Sequence, residues 1–548
     1  MLEGAPGTSK LLPGGYKKVG TMEGERVMKI KSRLWLTAAA GVACAVAAPA
    51  AGKGCGDMTR LPLDKGKVTA ATLVAPGAFQ PPAGSGPPPG IAGAGYKSLP
   101  AFCRVQATLT PTPDSDIKVE IWLPAAGWNG KLVGIGNGIW AGSISYSEMG
   151  PTLARGYAVV ATDTGHTGNG LTAEWAVGHP EKLVDFGSRA IHLMTVTAKQ
   201  AITDFYGRAA SHSLWNSCST GGRQGLIAAA RYPEDFDAIS SKAPANPMTD
   251  LMTQTMWAGY QPHRTPASAM TPALLALVHK AAVAECDIRD GLADGLIARP
   301  QACRFDPAVL ACKPGQANAC LNPDQVGTMK AMYGGVTDPK TGKRLLPGWP
   351  VGSEMQMAAL MMGKEPFPVA TDYFRLLVHG DKSGWDWKTM NYAEELEAAR
   401  TYGAQLLNVA PDDLKPFFAR GGKLLLSHGW TDGLIPATNT TKFYGELLET
   451  VAKSTAERQV RLFMVPGMDH CGGGEGASNY DTLATIDAWS DGGPAPEHIL
   501  AMRGGPTMPG APALPPLSRP LCPFPQIASY KGQGSKDDAA SFTCTAPS

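Results

Sequence analysis

The stretch that most constrains this chain is Leu214-Trp215-Asn216-Ser217-Cys218-Ser219-Thr220-Gly221-Gly222-Arg223-Gln224-Gly225. Polar and β-prone residues run into a serine, glycines follow closely, and an apolar helical pattern begins with Leu226, Ile227 and Ala230. That order spells strand, tight turn, helix. Such a turn lifts a serine onto a strained elbow, where its hydroxyl clears the sheet. The usual pattern is G-x-S-x-G, and Ser217 stands where its first glycine belongs. Taken alone, the segment fits a glycine-rich turn with an incidental serine equally well.

The surrounding chain favours the elbow. Cys103–Leu109 and Ile117–Trp122 alternate apolar and polar residues as half-buried strands do. Lys131–Ile135, Tyr157–Ala161 and Phe236–Ser241 read as strands, and a long helical pattern covers Phe186–Phe205. Strands alternating with helices predict a parallel sheet covered on both faces, an α/β fold. From about Ala245 to Pro416 the rhythm changes to helix-rich, loop-rich sequence with four cysteines and many aromatics. This segment reads as an inserted lid. Strand patterns resume at Lys423–His428 and Val460–Val465, and a helix over Tyr480–Trp489 and a Pro-rich tail follow. The expected organisation is an N-terminal extension over 1–50, a core from 51–244 and 417–548, and a lid over 245–416.

Charge excludes one class of partner. With 49 basic and 47 acidic residues the net charge is +2, and no basic run marks a nucleic-acid or anionic surface. Met28-Lys29-Ile30-Lys31-Ser32-Arg33 is a basic segment, Leu34 to Ala48 is apolar, and small-x-small sites end the stretch. That is a secretory signal, too short for the roughly 20 residues of a membrane-spanning helix. Residues 1–27 lack the pattern, so Met28 or Met22 is the expected initiator. The expected product is secreted or periplasmic after cleavage.

Export changes how eleven cysteines are read. Without Cys44 ten remain, an even number that implies disulfides rather than metal thiolates. Spacing suggests Cys55–Cys103, Cys286–Cys303, Cys312–Cys320 and Cys522–Cys544, without fixing connectivity. Cys218 and Cys471 are left over. Each adjoins a candidate catalytic residue, and they could pair with each other, pair elsewhere or stay free.

A serine hydroxyl needs a base to take its proton, and the base needs an acid to orient it. Asp432 lies just past the strand Lys423–His428, and His470 just past Val460–Val465. The chain order Ser219, Asp432, His470 is the α/β-hydrolase order. Singly, an Asp-Gly is a common turn and a histidine near glycines is a common surface residue. Three in order, each after a strand, make coincidence the weaker account. Asp469 is a rival acid, but a sequence neighbour points away from the ring it would have to hold. Ester attack also demands two N–H groups aimed at the developing oxyanion. Thr220 is expected to supply one, and Gly138 or Ile139, in the Gly-rich turn after Ile135, the other.

The combined pattern of Cys218-Ser219-Thr220-Gly221-Gly222-Arg223-Gln224, Asp432 and Met468-Asp469-His470-Cys471 resembles the tannase/feruloyl esterase family. Tyr206-Gly207-Arg208 and Arg519-Pro520-Leu521-Cys522-Pro523-Phe524-Pro525 carry the same likeness. The resemblance implies an α/β-hydrolase core with a large inserted lid, stabilised by disulfides and calcium. It implies Ser219, Asp432 and His470 as triad, the five cysteine pairs named above including Cys218–Cys471, and small-molecule esters of aromatic acids as substrates.

Cys286–Ile297 holds three carboxylates separated by turn glycines. Read alone, this is an acidic solvated turn. By the resemblance it is a structural calcium loop using the carboxylates of Asp287, Asp290 and Asp294 and the carbonyls of Leu292 and Leu296, an oxygen set that suits a hard cation. Feruloyl or galloyl esters are the expected substrates. Terephthalate monoester, taken by one branch of the family, is the alternative. Against it stand Thr220, where that branch has an acidic residue, and Arg375, whose register does not match that branch's carboxylate-gripping arginine. His428 is expected either to line the acyl pocket or simply to end its strand. A reading from another class is a calcium-stabilised binding module without catalysis. The sequence does not give the oligomeric state.

Overall fold

The computed structural model describes residues 52–82, 93–316, 318–381, 384–504 and 514–547. The expected signal segment, Met28 to Ala50, lies outside the described residues. Pro49–Ser548 forms one compact unit.

Nine strands build one sheet: β1 (Gly66–Val74), β2 (Phe102–Leu109), β3 (Ile117–Pro124), β4 (Lys131–Gly134), β5 (Ala158–Thr162), β6 (His212–Cys218), β7 (Ala238–Lys242), β8 (Lys423–Gly429) and β9 (Val460–Val465). Their spatial order is β1-β2-β3-β5-β4-β6-β7-β8-β9. The first four in that order pair antiparallel, and every pair from β5-β4 to β8-β9 is parallel. The parallel half needs crossovers, which the helices provide. Its strands are buried on both faces, which is why β8 and β9 read as apolar runs rather than alternating ones.

Alternation still sorts the side chains. Trp215, Ile239, Leu424 and Leu426 join one core cluster with the helices Ala190–Tyr206 and Thr220–Arg231. Leu214, Ala238, Leu425 and Phe463 join another with the helix Thr482–Ser490. Successive residues on one strand therefore serve opposite faces of the sheet.

The insert follows β7 and returns to β8, and the described residues of the segment contain no strand of the large sheet. Its helices carry local start signals. Thr271 caps the helix Pro272–Cys286 by accepting the N–H of Leu274. Asn322 and Gln325 form a capping box at the helix Pro323–Gly334, with Pro323 in the first turn. The insert has its own apolar cluster, but that cluster includes Trp140 and Phe186 from the sheet domain. The Trp140 indole N–H donates to the Val369 carbonyl at 3.1 Å. The insert is packed onto the core.

All five disulfides suggested by spacing and resemblance are formed: Cys55–Cys103, Cys218–Cys471, Cys286–Cys303, Cys312–Cys320 and Cys522–Cys544. Two staple the insert, and one holds β12 (Ile527–Tyr530) and β13 (Phe542–Thr545) of the tail to the segment after β11 (Ser518–Leu521), which itself pairs with β10 (Ile499–Met502).

Candidate active site

Ser219 stands at the step from β6 into the helix Thr220–Arg231, with φ +63° and ψ −126°. A non-glycine residue there is strained, and its surroundings must hold it. Its N–H donates to the Lys242 carbonyl at 2.9 Å, and its carbonyl accepts from Arg223 and Ala245. The glycines behind it are required by close approach. A Cβ on Gly221 would lie 2.1 Å from the Ser217 hydroxyl, and one on Gly222 would lie 2.5 Å from the Lys242 carbonyl oxygen. This explains why Ser217 is tolerated where the pattern expects glycine: Gly221 gives up the space that the serine side chain fills.

The Ser219 hydroxyl is 2.9 Å from Nε2 of His470, and Nδ1 of that ring is 2.7 Å from Oδ2 of Asp432. The three residues come from the loops after β6, β9 and β8, at the carboxyl ends of parallel strands, where sites of such sheets collect. Asp432 is fully buried. Its Oδ1 accepts the N–H groups of Leu434 and Ile435, both at 2.9 Å, so the carboxylate cannot swing away. Burial works against the charged carboxyl, yet the charges and hydrogen bonds of His470 and His428 outweigh it and hold Asp432 well below the usual range. Burial likewise depresses His470, but Asp432, with help from Asp469, raises it above its ordinary value. Asp469 accepts from the Thr431 hydroxyl at 2.9 Å and is no partner of the ring.

His428 faces the interior at the end of β8. Its ring is fully buried. Nε2 lies 3.0 Å from Asp432 Oδ2 and 3.2 Å from the Ile435 carbonyl, and Nδ1 lies 2.7 Å from the Thr440 hydroxyl. Carboxylate and carbonyl only accept, so Nε2 carries the proton. The ring turns inward because the strand end leaves it between β8 and the helix Ala437–Thr450. It therefore braces the acid from behind.

Thr220 and the turn Gly136–Ile139, the two segments expected to supply the oxyanion N–H groups, lie against each other. The Thr220 hydroxyl donates to the Ile139 carbonyl at 2.7 Å, and the Gly221 N–H donates to the Asn137 carbonyl at 2.8 Å. Gln224 pins the same turn, accepting the Asn137 N–H at 3.0 Å and donating to its side chain at 3.1 Å. Ile139 has φ +51°, a left-handed value unusual for a branched residue. Among the described residues, the N–H groups of Gly138, Ile139 and Thr220 have no backbone acceptor. Gln224 gave no separate sequence signal beyond its place in the motif.

The disulfide Cys218–Cys471 joins the residue before Ser219 to the residue after His470, with Cα atoms 5.9 Å apart. The acidic loop of the insert lies elsewhere. Asp287 accepts the N–H groups of Asp294 (3.1 Å) and Gly295 (2.8 Å), and Asp290 those of Leu292 (3.0 Å) and Ala298 (3.3 Å). Asp294 accepts from Leu296 at 3.1 Å and pairs with Arg519 at 2.6 Å. Among the described residues, no three His, Cys, Asp or Glu side chains form a group that could hold a metal ion. The donor chemistry nevertheless suits a hard cation: burial pushes Asp290 up to about 6, and the charges of Asp294 and Asp287 push it the same way, a repulsion that a cation would relieve.

A largely parallel sheet, an inserted lid after β7, and a serine elbow facing a histidine and an aspartate define an α/β-hydrolase-fold protein. The family model for tannase and feruloyl esterase matches residues 103–545. A protein named as an uncharacterized esterase of Xanthomonas campestris pv. campestris is 33% identical across 93% of this chain and 94% of its own. A probable feruloyl esterase B-2 of Aspergillus terreus is 32% identical across 83% of this chain and 88% of its own. The crystal structure of feruloyl esterase B from Aspergillus oryzae superposes with a TM-score of 0.80, at 27% identity, over 90% of this chain and 99% of that one. The chain belongs to the tannase and feruloyl esterase family, and it is a carboxylic ester hydrolase.

Proposed function

We propose that this protein is an exported serine esterase that cleaves esters of aromatic acids, feruloyl or galloyl, through Ser219, His470 and Asp432. The observation that carries the reading is the continuous path from the Ser219 hydroxyl through both ring nitrogens of His470 to a buried, four-times hydrogen-bonded Asp432. In the proposed reaction Ser219 Oγ attacks the ester carbonyl while His470 Nε2 takes the hydroxyl proton. Asp432 holds the ring and stabilises the imidazolium. The N–H of Thr220 and that of Gly138 or Ile139 receive the oxyanion. His470 then returns the proton to the departing alcohol, and water, deprotonated by the same nitrogen, releases the acid and frees Ser219.

The names of the relatives support feruloyl esters as the substrate class. Terephthalate monoesters are disfavoured by Arg375, which is paired with Asp372 at 3.0 Å and with Asp381 at 3.9 Å and so has its charge answered within the insert. Export is supported by the sequence of the leader and by five disulfides, which persist in oxidising compartments. A structural calcium ion is supported by the oxygen set of the Asp287–Leu296 loop and by the charges of Asp294 and Asp287 that raise Asp290.

The deciding experiment replaces Ser219 with alanine. Hydrolysis of methyl ferulate should fall by at least about 1000-fold, as loss of a triad nucleophile does. Unchanged hydrolysis would remove Ser219 as nucleophile and place the chemistry elsewhere, whereas a wild type that does not hydrolyse the ester above background would leave the binding-module reading. A panel of methyl ferulate, methyl gallate and a terephthalate monoester orders the substrates.

A further inference from the structure

Gln356 belongs to the insert, on the helix Glu354–Met361, yet its side chain reaches the loops of both the proposed acid and the proposed base. Its Oε1 accepts the N–H of Gly433 at 2.8 Å and the N–H of His470 at 3.0 Å. Gly433 is the residue after Asp432. One amide oxygen, using both lone pairs, therefore spans the two loops whose separation sets the Asp432–His470 bond.

The helix is seated closely enough for this contact to be a fixed one. A Cβ on Gly433 would lie 2.4 Å from the Met357 nitrogen and 2.5 Å from the Gln356 carbonyl carbon, so only glycine lets the helix approach. The Trp349 indole donates to the Gly433 carbonyl at 2.9 Å. Glu354, fully buried at the start of the same helix, holds His279 at 2.9 Å, and the other nitrogen of that ring lies 3.4 Å from Glu475 on the loop after His470. Strand register fixes β8 against β9, and just beyond it the Thr431 N–H donates to the Met468 carbonyl at 3.2 Å and the Thr431 hydroxyl to Asp469 at 2.9 Å, but Asp432 and His470 lie one residue past these ties.

We propose that Gln356 is a positioning residue for ester hydrolysis: its oxygen sets the distance between the Asp432 and His470 loops from outside the sheet. Triad geometry is thereby complete only while the insert is seated. The inference rests on the triad reading above. The charged groups that already face the His470 loop are Asp432 and Asp469, with His279 and Glu475 beyond them. A carboxylate at position 356 would add one more negative charge beside them.

The test uses the full, oxidised protein and two readouts: the rate at which a fluorophosphonate labels Ser219, and kcat and KM for methyl ferulate. Gln356→Met keeps length and removes the amide oxygen. Labelling and kcat should each fall about 10-fold or more, as a small misplacement of reacting groups does, while KM changes less than about twofold. Gln356→Glu keeps an acceptor, so labelling near the wild-type rate should return above neutral pH, with the acid limb of the kcat/KM profile moved upward by the added charge. Labelling of Gln356→Met within about twofold of wild type overturns the proposal. If that variant does not fold, Gln356→Glu decides, and an unmoved acid limb overturns it. Failure of the triad reading has a different signature, because wild type and Ser219→Ala would then react alike.

Discussion

Asp432 divides its work between two oxygens. One is tied to the backbone of Leu434 and Ile435, and the other is shared by the rings of His470 and His428. The sharing fixes the tautomers, since each ring gives its proton to the carboxylate and leaves its other nitrogen as an acceptor: His470 toward Ser219 and His428 toward Thr440. It also sets the pH behaviour. His470 must be neutral to accept the serine proton, and its value is raised, so the imidazolium persists to higher pH than in a free histidine. Activity is therefore present above the raised value and is lost as pH falls through it. Asp469 contributes to that elevation. Asp469→Asn removes a negative charge without removing the acid, so the acid limb of kcat/KM should move to lower pH with kcat at alkaline pH nearly unchanged. A limb that stays in place would show that Asp469 exerts no charge effect on the ring.

The elements explain why a residue pattern becomes a site. The elbow requires Ser219 at positive φ, and the glycines at 221 and 222 let Ser217 and the end of β7 close around it. The Cys218–Cys471 bond then clamps β6 to the loop after β9, closing a sequence separation of 253 residues. In the chain-entropy model such a bond stabilises the fold by about 5 kcal/mol. Cys218→Ser with Cys471→Ser should lower the urea midpoint of unfolding. It should also reduce kcat more than KM, because the clamp holds nucleophile and base in register. Reductant should reproduce the loss of activity in the wild type and leave the double variant little changed. Equal sensitivity of both would place the redox effect in another disulfide.

At the scale of the whole molecule, the insert is packed into the frame that carries Ser219, Asp432 and His470. It shares a core with Trp140 and Phe186, answers its own Arg375, and meets the tail through the Arg519–Asp294 pair at 2.6 Å. The acidic loop therefore sits where insert and C-terminal tail join, and a cation there would stabilise the join. Removing it with a chelator should lower the thermal midpoint by several degrees, with recovery on adding calcium back. Unchanged melting would show that no cation adds to the support the loop already has from the Arg519 ion pair, its backbone N–H groups and the Cys286–Cys303 disulfide. No helix among the described residues is long and apolar enough to cross a membrane.

Much of this was legible in the order of residues. Period-two alternation marked β2 and β3, short apolar runs marked β8 and β9, and residue types placed Ser219, Asp432 and His470 after three strands. Those signals are local: they depend on neighbours a few positions away, and backbone sterics and burial read them directly. Spacing in the sequence also suggested four of the five cysteine pairs, and Cys218–Cys471 remained one of the open pairings of the two left over until the resemblance implied it. What only the tertiary structure decided are contacts between distant segments. His428 was open between pocket and strand end until the helix Ala437–Thr450 packed over β8 and offered it Thr440. Gln356 had no signal at all, since its partners lie 77 and 114 residues away and are backbone N–H groups. Every residue but proline carries such an N–H. Which one a distant side chain finds is set by where the folded chain brings them together.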